Sequence, residues 1–582
     1  MKRRVTKKKF IRQSLTSEGF FKALNEAGAR YVLLRWWKDF PHIEKGEDFD
    51  ILIHSDDYLL IEPMLTSKRG GQRADVYLHD QPGGNSPKKL AYFPLALAAE
   101  ILAGRRLWRD AVYVPSPRSY FASLAYHALY HKGHTGGIMV PPDGTVAAGA
   151  LEHDYRAELA LAAAEAGLSL PITADSLHGW LTENGFAPPL DMLGKLAGKR
   201  PELVRFAGLP SFEEIRLTGE LVLFAVRHAG GMDRAFLRDA VNLLQAARLE
   251  VLEVYTLTDA EVRAVSALRG GNWGKGPYWA SAGKPHSFII CYDWYPKQAV
   301  PGQAHALLLN RNVAELKDQV RKLFNKRRMF WRRCNPVHSP DNEREAFEFI
   351  SRANPELLQR CTAWVKQRRD RLASSQEVLE VLSEGRRSRT DLVRFGTGRA
   401  IQKTFRFGSE ELCRNEVRAR ELFGGSVSMP AVLERSPGRI IMEYFPETDY
   451  LHPESLGHAE KQKVARLLVG AAHAFWSRGF FHGDFGPRNI LVTKAGDIRI
   501  IDFEFLQPYQ GVKPQFERAY EFEGVPQHAS YARPVSELSK SVRYHHNWTS
   551  MPFDEYFRPA INEIVNAVPV STYKRTRIRA VG

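Results

Sequence analysis

Cysteine is scarce in this chain. Its 582 residues hold four, Cys291, Cys334, Cys361 and Cys413. None stands in C-x-x-C spacing, which argues against a disulfide framework or a cysteine zinc site and for a reducing compartment. Long apolar runs are missing too: no stretch approaches the roughly 18 apolar residues that a membrane-spanning helix needs. The opening MKRRVTKKKFIRQ is basic, but no apolar segment follows it, so it does not read as a secretory signal. No short-period repeat runs along the chain, which sets aside a solenoid. These absences lead to the expectation of a cytoplasmic protein built from ordinary globular domains.

What is present supports several such domains. A chain of 582 residues is too long for one core, and three to four domains are expected. Apolar residues make up 44% and charged residues 25%, the usual globular balance. Lysine and arginine outnumber aspartate and glutamate by 82 to 66, a formal net charge of +16. Part of the excess is terminal: residues 2–12 carry seven Lys/Arg, and Lys574, Arg575, Arg577 and Arg579 form a second cluster. Such tails attract anionic lipid at about 1 kcal/mol per cation, so a peripheral place at the inner membrane face is one expectation. No basic stripe interleaved with stacking aromatics stands out, and specific nucleic-acid binding is not expected.

The stretch richest in chemistry is FFHGDFGPRNILVTKAGDIRIIDFEF, residues 480–505. His482-Gly483-Asp484 is followed by Asn489, then a β-branched run, then Asp502-Phe503-Glu504 after a second apolar run. Phosphoryl transfer needs little covalent help from a protein; it needs positioning and charge neutralisation. One carboxylate must take the acceptor hydroxyl's proton, while an Asn and a second Asp hold magnesium against the phosphates. Asp484, Asn489 and Asp502 have the spacing for those roles. Upstream, Lys403 lies in the run Arg399–Phe405, after the turn Phe395-Gly396-Thr397-Gly398, where a lysine would pair with α- and β-phosphates. Glu416, in the helical stretch Glu410–Phe423, is placed to pin that lysine; Glu421 competes, because periodicity alone does not choose. Arg439–Phe445 reads as a strand running into an adenine-binding hinge that includes Glu443.

Residues 385–582 thereby resemble the protein-kinase-like superfamily, and within it the aminoglycoside phosphotransferase, lipopolysaccharide-sugar kinase and RIO-type branches that carry H-G-D. The resemblance implies a bilobal fold, ATP as donor with GTP as an alternative, and Mg²⁺ as cofactor. It implies a hydroxyl acceptor, a sugar or glycolipid first and a protein Ser/Thr second. Two departures shape the expectation. Gly483 replaces the arginine that grips a phosphorylated activation loop, and no A-P-E sequence follows Asp502. Activation-loop switching is therefore not expected. The glycine turn lacks G-x-G-x-x-G and adds little by itself.

Residues 217–352 carry a second phosphate signal. Strands are expected at Gly219–Val226, Glu250–Tyr255 and Ser287–Tyr292, and a helix at Asp233–Arg248. The segment closes on Cys334-Asn335-Pro336-Val337-His338-Ser339-Pro340-Asp341. This order of elements with N-x-x-H-x-x-D resembles the nucleoside diphosphate kinase family. The resemblance implies a ferredoxin-like fold, phosphoryl transfer through His338, Asn335 as its partner and Arg321 on a phosphate. A neutral imidazole is a good phosphoryl acceptor, and an unperturbed pKa of about 6.5 leaves it mostly neutral at pH 7. Val226-Arg227-His228 stands where Lys-Pro-Asp belongs, and Ser266 where a tyrosine does. Pro340 and Phe349 take the places of the serine and glutamate that orient the histidine, and Arg311 that of a threonine. A basic-aromatic stretch, KRRMFWRR over 326–333, is added.

A third signal lies near the start. After a helix at Ser17–Ala27 and a strand at Tyr31–Arg35, Gly46-Glu47-Asp48-Phe49-Asp50-Ile51 gives G-x-D-h-D-h, with both carboxylates on one strand face. Asp75, in Ala74–Leu78, offers a third. Carboxylates converging from adjacent strands suit a pair of magnesium ions, and the pattern resembles the nucleotidyltransferase fold. Arg35-Trp36-Trp37 replaces that family's Gly-Ser dipeptide, and this bulky, cationic loop points to a different anionic ligand or to no catalysis there.

The expected organisation is multidomain α+β. A nucleotidyltransferase-like domain (1–150) is followed by a helical connector (151–212) and a nucleoside-diphosphate-kinase-like domain (213–352). A helical linker (353–384) then leads to the kinase-like domain (385–582). The expected activity is an ATP- and Mg²⁺-dependent kinase acting on a small-molecule or glycan hydroxyl. The alternatives are nucleotide exchange at His338 or a nucleotide-binding scaffold with degenerate sites.

Overall fold

A computed structural model describes residues 10–567 apart from 43–46, 69–70, 82–89, 140–154, 269–272, 300–305, 327, 374–375, 386, 447–448, 452, 527–528 and 533–549. The basic clusters at 2–9 and 574–579 and Gly46 lie outside these residues. The chain is a mixed α/β multidomain protein that divides into two compact units, Met1–Gln367 and Arg368–Gly582. No helix among the described residues is long and apolar enough to cross a membrane.

In the first unit a short strand, Phe10–Ile11, precedes the helix Ser17–Glu26, which is capped by the Thr16 hydroxyl accepting the Gly19 N–H at 3.0 Å. Its Phe20, Phe21 and Leu24 lie on one face and are fully buried. They pack on a three-stranded sheet in which Phe49–Ile53 is central, antiparallel to Tyr31–Leu33 and parallel to Ala74–Leu78. The helices between residues 155 and 207, within the expected connector 151–212, are more than a connector. Leu159, Leu177, Leu181, Leu193 and Leu196 are buried in the same core as Phe21 and Phe49. The helices Ala174–Glu183 and Leu190–Ala197 each carry an apolar stripe, and such a stripe needs a partner surface.

A second core follows in the same unit. Its antiparallel sheet has the order Val337–His338, Glu220–Arg227, Pro285–Asp293, Glu250–Thr256. In chain order this is 4-1-3-2. The helices Arg234–Ala246 and Arg311–Asn325 cover one face, setting Phe236, Leu244, Leu316 and Val320 against Val222, Phe224 and Ile289.

The second unit begins earlier than the sequence suggested. Val378–Glu384, read as part of a helical linker, is an edge strand paired with Ser388–Phe395. The five-stranded antiparallel sheet runs Val378–Glu384, Ser388–Phe395, Gly398–Phe405, Arg439–Glu443, Val432–Ser436. The strand bearing Lys403 is thus its centre. The helix Glu410–Phe423 follows, and then a largely helical part built around His458–Ser477. Two short antiparallel pairs, Phe480–His482 with Leu506–Pro508 and, between them in sequence, Ile490–Thr493 with Ile498–Ile500, carry the H-G-D and D-F-E residues at their ends.

Candidate active site

Lys403 points inward from the central strand and is 5% exposed. Its Nζ lies 2.7 Å from Glu416 Oε1, 2.8 Å from Asp502 Oδ1 and 2.9 Å from Glu504 Oε1. The choice left open between two glutamates is settled by placement. Glu416 is fully buried against Lys403, whereas Glu421 faces Arg435 at 3.4 Å on the surface. One turn after Glu416, Arg420 donates to its other oxygen. Burial alone would pull the Lys403 ammonium down, but the carboxylates of Asp502, Glu416 and Glu504 hold it well above its ordinary value. Burial works on Glu416 in the opposite sense and is outweighed by Lys403 and Arg420, which bring it to about 2. Glu504 is raised, by burial first, despite Lys403 beside it.

The loop after Phe480–His482 is held from several sides. The buried His482 donates its backbone N–H to Glu521 Oε1 at 2.8 Å, and its Nδ1 accepts the Asp484 N–H at 3.2 Å. Asn489 donates Nδ2 to the Asp484 carbonyl at 2.8 Å, which ties the two ends of HxDxxxxN together. Arg488 Nη2 reaches both oxygens of Asp484, at 3.0 and 2.9 Å. Gly483 has a steric reason here. Its N–H donates to Phe505 O at 2.9 Å, and a Cβ at this position would stand 3.1 Å from both that oxygen and the Phe505 Cβ. Asp502 adopts the left-handed conformation (φ 62°, ψ 68°), which Asp tolerates better than most residues.

Glu521 makes this site sensitive to pH. It is 2% exposed, and burial pushes its carboxyl from 4.5 up to about 8, against the opposing pull of the His482 N–H. Between those values the folded protein keeps a proton that the unfolded chain releases. The stabilising contribution is therefore full below 4.5 and lost as pH rises through about 8. Glu521→Gln fixes the neutral form. Its unfolding midpoint relative to the parent should climb as pH is raised through that window; a difference that stays flat would show Glu521 ionised throughout.

The structure therefore brings Lys403, Glu416 and Asp502 into direct contact and joins Asp484 to Asn489. Gly396 and Gly398 bound Thr397 in a hairpin closed by the Phe395–Gly398 pair, with Gly396 at φ 58°. Glu443 ends the strand paired with Ala400. Sequence reasoning missed the roles of Glu504, Arg420, Arg488 and Glu521. Two of these had a signal: Arg420 and Arg488 each stand four residues after a site carboxylate. Ser388, which donates to Glu504 at 2.8 Å, had none.

The other expected sites are arranged differently. His338 is buried, with its ring against Trp273 and Phe349 at 5.8 and 5.7 Å between centroids. Asp191, His338 and Glu345 bring one ligand-type atom each within 4.8 Å of one another, and Lys195 contacts the Asp191 carboxylate. Arg321 donates to the Val337 carbonyl at 3.3 Å, next to His338, and Asn335 lies on the short strand Cys334–Asn335. The cap of the following helix is Asn342, which accepts the Glu345 N–H at 2.9 Å. Near the start, the parallel register sets Asp50 beside Asp75. Arg35 takes Asp50 at 2.7 Å, and Tyr77 donates to it at 2.9 Å. Asp48 pairs with Arg73 at 3.0 Å, and burial pushes it up to about 6.

No family model matches this chain. Among curated proteins, Citron Rho-interacting kinase of Mus musculus is 32% identical over 69 residues. That stretch is 11% of this chain and 3% of the mouse protein, so the chain spans only a small fraction of that relative's length.

Proposed function

We propose that the second unit is a bilobal protein-kinase-like phosphotransferase using ATP and Mg²⁺ on a hydroxyl acceptor, most readily a sugar or glycolipid and secondarily a protein Ser/Thr. The observation that carries this reading is the buried pair between Lys403 on the central strand and Glu416 on the following helix, with Lys403 also in contact with Asp502. Lys403 would hold the α- and β-phosphates, with Glu416 keeping it in place. Asp484 would accept the hydroxyl proton, and Arg488, which clasps both its oxygens, would have to yield one as the acceptor arrives. Asn489 and Asp502 offer an oxygen donor set that suits Mg²⁺; the metal would neutralise phosphate charge. The short likeness to a named kinase agrees with this reading but is too small to support it.

For the first unit, the 4-1-3-2 antiparallel order supports a ferredoxin-like, nucleoside-diphosphate-kinase-like core, and the mixed sheet with Asp50 beside Asp75 supports a nucleotidyltransferase-like one. The ring packing around His338 and the ion pair on Asp50 favour structural over catalytic work there. A cytoplasmic setting belongs to the same proposal.

Labelled ATP, the full chain and a cell extract provide the test, with products separated into lipid, glycan and protein. Label should enter glycan or lipid only with Mg²⁺ present. No transfer to any acceptor, or transfer indifferent to chelation, would overturn the reading. Acid-labile label on the chain itself, lost in His338→Ala, would move the activity to His338.

A further inference from the structure

Among the described residues eight large apolar side chains are more than half exposed, and four of them sit together: Trp279 (63%), Met329 (57%), Phe330 (54%) and Trp331 (52%). Three of these come from the added stretch 326–333, and the fourth from the segment beside it.

The stretch is firmly built at its base. The helix Arg311–Asn325 ends on a buried amide that closes the excursion on both sides. Asn325 Nδ2 donates to the Cys334 carbonyl at 2.9 Å, and its Oδ1 accepts the Cys334 N–H at 3.1 Å. Arg328 folds back, with Nε on the Phe324 carbonyl at 3.1 Å and its guanidinium 3.7 Å from the Phe324 ring centre. A 3₁₀ turn over Phe330–Arg332 follows, with Arg332 N–H on Met329 O at 2.8 Å. The Ala280 N–H then bonds Arg333 O at 3.1 Å, which brings Trp279 alongside. With its base satisfied internally, the apolar tip has nothing of its own to cover.

We propose that this tip is a membrane-docking knob for an anionic phospholipid surface. The rings touch one another edge to face, Trp279–Phe330 at 5.7 Å and Phe330–Trp331 at 4.9 Å, and so form one projecting cluster. Lys326, Arg332 and Arg333 are exposed around it, and among the described residues none forms an ion pair with a carboxylate. Tryptophan and phenylalanine at headgroup depth, ringed by cations, match a surface that is apolar below and negative above. A second copy of the chain would bring like charges against this rim. A single nucleic-acid strand would need separate ring faces along a track, and here the rings are packed edge to face into one cluster. The sequence reading assigned membrane attraction to the termini; the knob is a different element and does not depend on the kinase reading.

Sedimentation of the full chain with phosphatidylcholine vesicles, with or without phosphatidylglycerol, is the test. Retention should need the anionic lipid, fall as salt rises, and shift tryptophan emission to the blue. Trp279→Ser/Phe330→Ser/Trp331→Ser and, separately, Arg332→Glu/Arg333→Glu should each weaken retention at least about ten-fold, with unchanged unfolding midpoints. Retention as strong in both variants as in the parent would overturn the proposal. So would its loss only on deleting residues 1–13. Binding of single-stranded RNA that both variants abolish, without vesicle retention, would reassign the knob to nucleic acid.

Discussion

Asp484→Asn is expected to lower acceptor phosphorylation by about 10²–10⁴-fold, the range for a positioned proton acceptor. The substitution keeps the shape of the side chain and a hydrogen-bonding oxygen for Arg488. It leaves intact the Asn489 bond, which goes to the backbone carbonyl of residue 484. Folding should change little, because the Arg488 side chain is 63% exposed and an ion pair so open to water adds little. Initial rates at saturating ATP, with the unfolding midpoint measured alongside, separate the two effects. Asp502→Asn should act through magnesium instead, so its deficit should narrow as the metal concentration is raised, whereas that of Asp484→Asn should not. Full activity in Asp484→Asn would remove this residue from the chemistry and with it the proposed mechanism.

Lys403→Met should be strongly destabilising, on the scale of truncating a large core side chain, although it opens no large cavity. Lys403 faces Glu416, Asp502 and Glu504 at 2.7–2.9 Å, and Glu416 and Glu504 are both nearly inaccessible to water. Without the ammonium, Glu416 keeps Arg420 and Glu504 keeps the Ser388 hydroxyl, but the carboxylates are left with excess negative charge. Breaking a buried pair from one side costs roughly 3–5 kcal/mol. Urea unfolding of the variant should show a loss of that order, shrinking at lower pH as the carboxylates take up protons. Adding Glu504→Gln should restore part of it. A Lys403→Met protein as stable as the parent would mean that the three carboxylates do not share the lysine's charge in the folded state.

Much of this site was legible in the sequence because its polar residues are spaced along an otherwise apolar chain. HxDxxxxN and D-F-E flank runs in which Phe481, Ile490, Val492, Ile498 and Ile500 are buried, so Asp484, Asn489 and Asp502 stand out. Lys403 was legible as a lysine inside a strand after a tight turn, with Arg399 the only other cation in that strand. Glu416 and Glu421 could not be told apart, since both lie on one helix and only the direction of the sheet decides which faces Lys403. Glu521 was hidden for another reason. It follows H-G-D by many residues and meets His482 only through a backbone N–H, which no side-chain pattern records. The edge strand Val378–Glu384 was obscured by its charge. Glutamates on an exposed edge guard it against pairing with other chains, and in sequence they look like the solvated face of a helix. Residues 151–212 were read as a connector because alanine and leucine predict helix but not the surface that receives it.

Between Phe395 and Gly398 the chain reverses in two residues. A loop that short has too few backbone amides to drape over a triphosphate. In the proposed reaction, recognition of the phosphates passes to side-chain cations and metal, whose grip follows ionic strength. The donor site would stand open on that side, with no flap to close before transfer and none to lift before the spent nucleotide departs. Turnover would then be governed by how quickly charge can be exchanged around Lys403, and not by the motion of a cover.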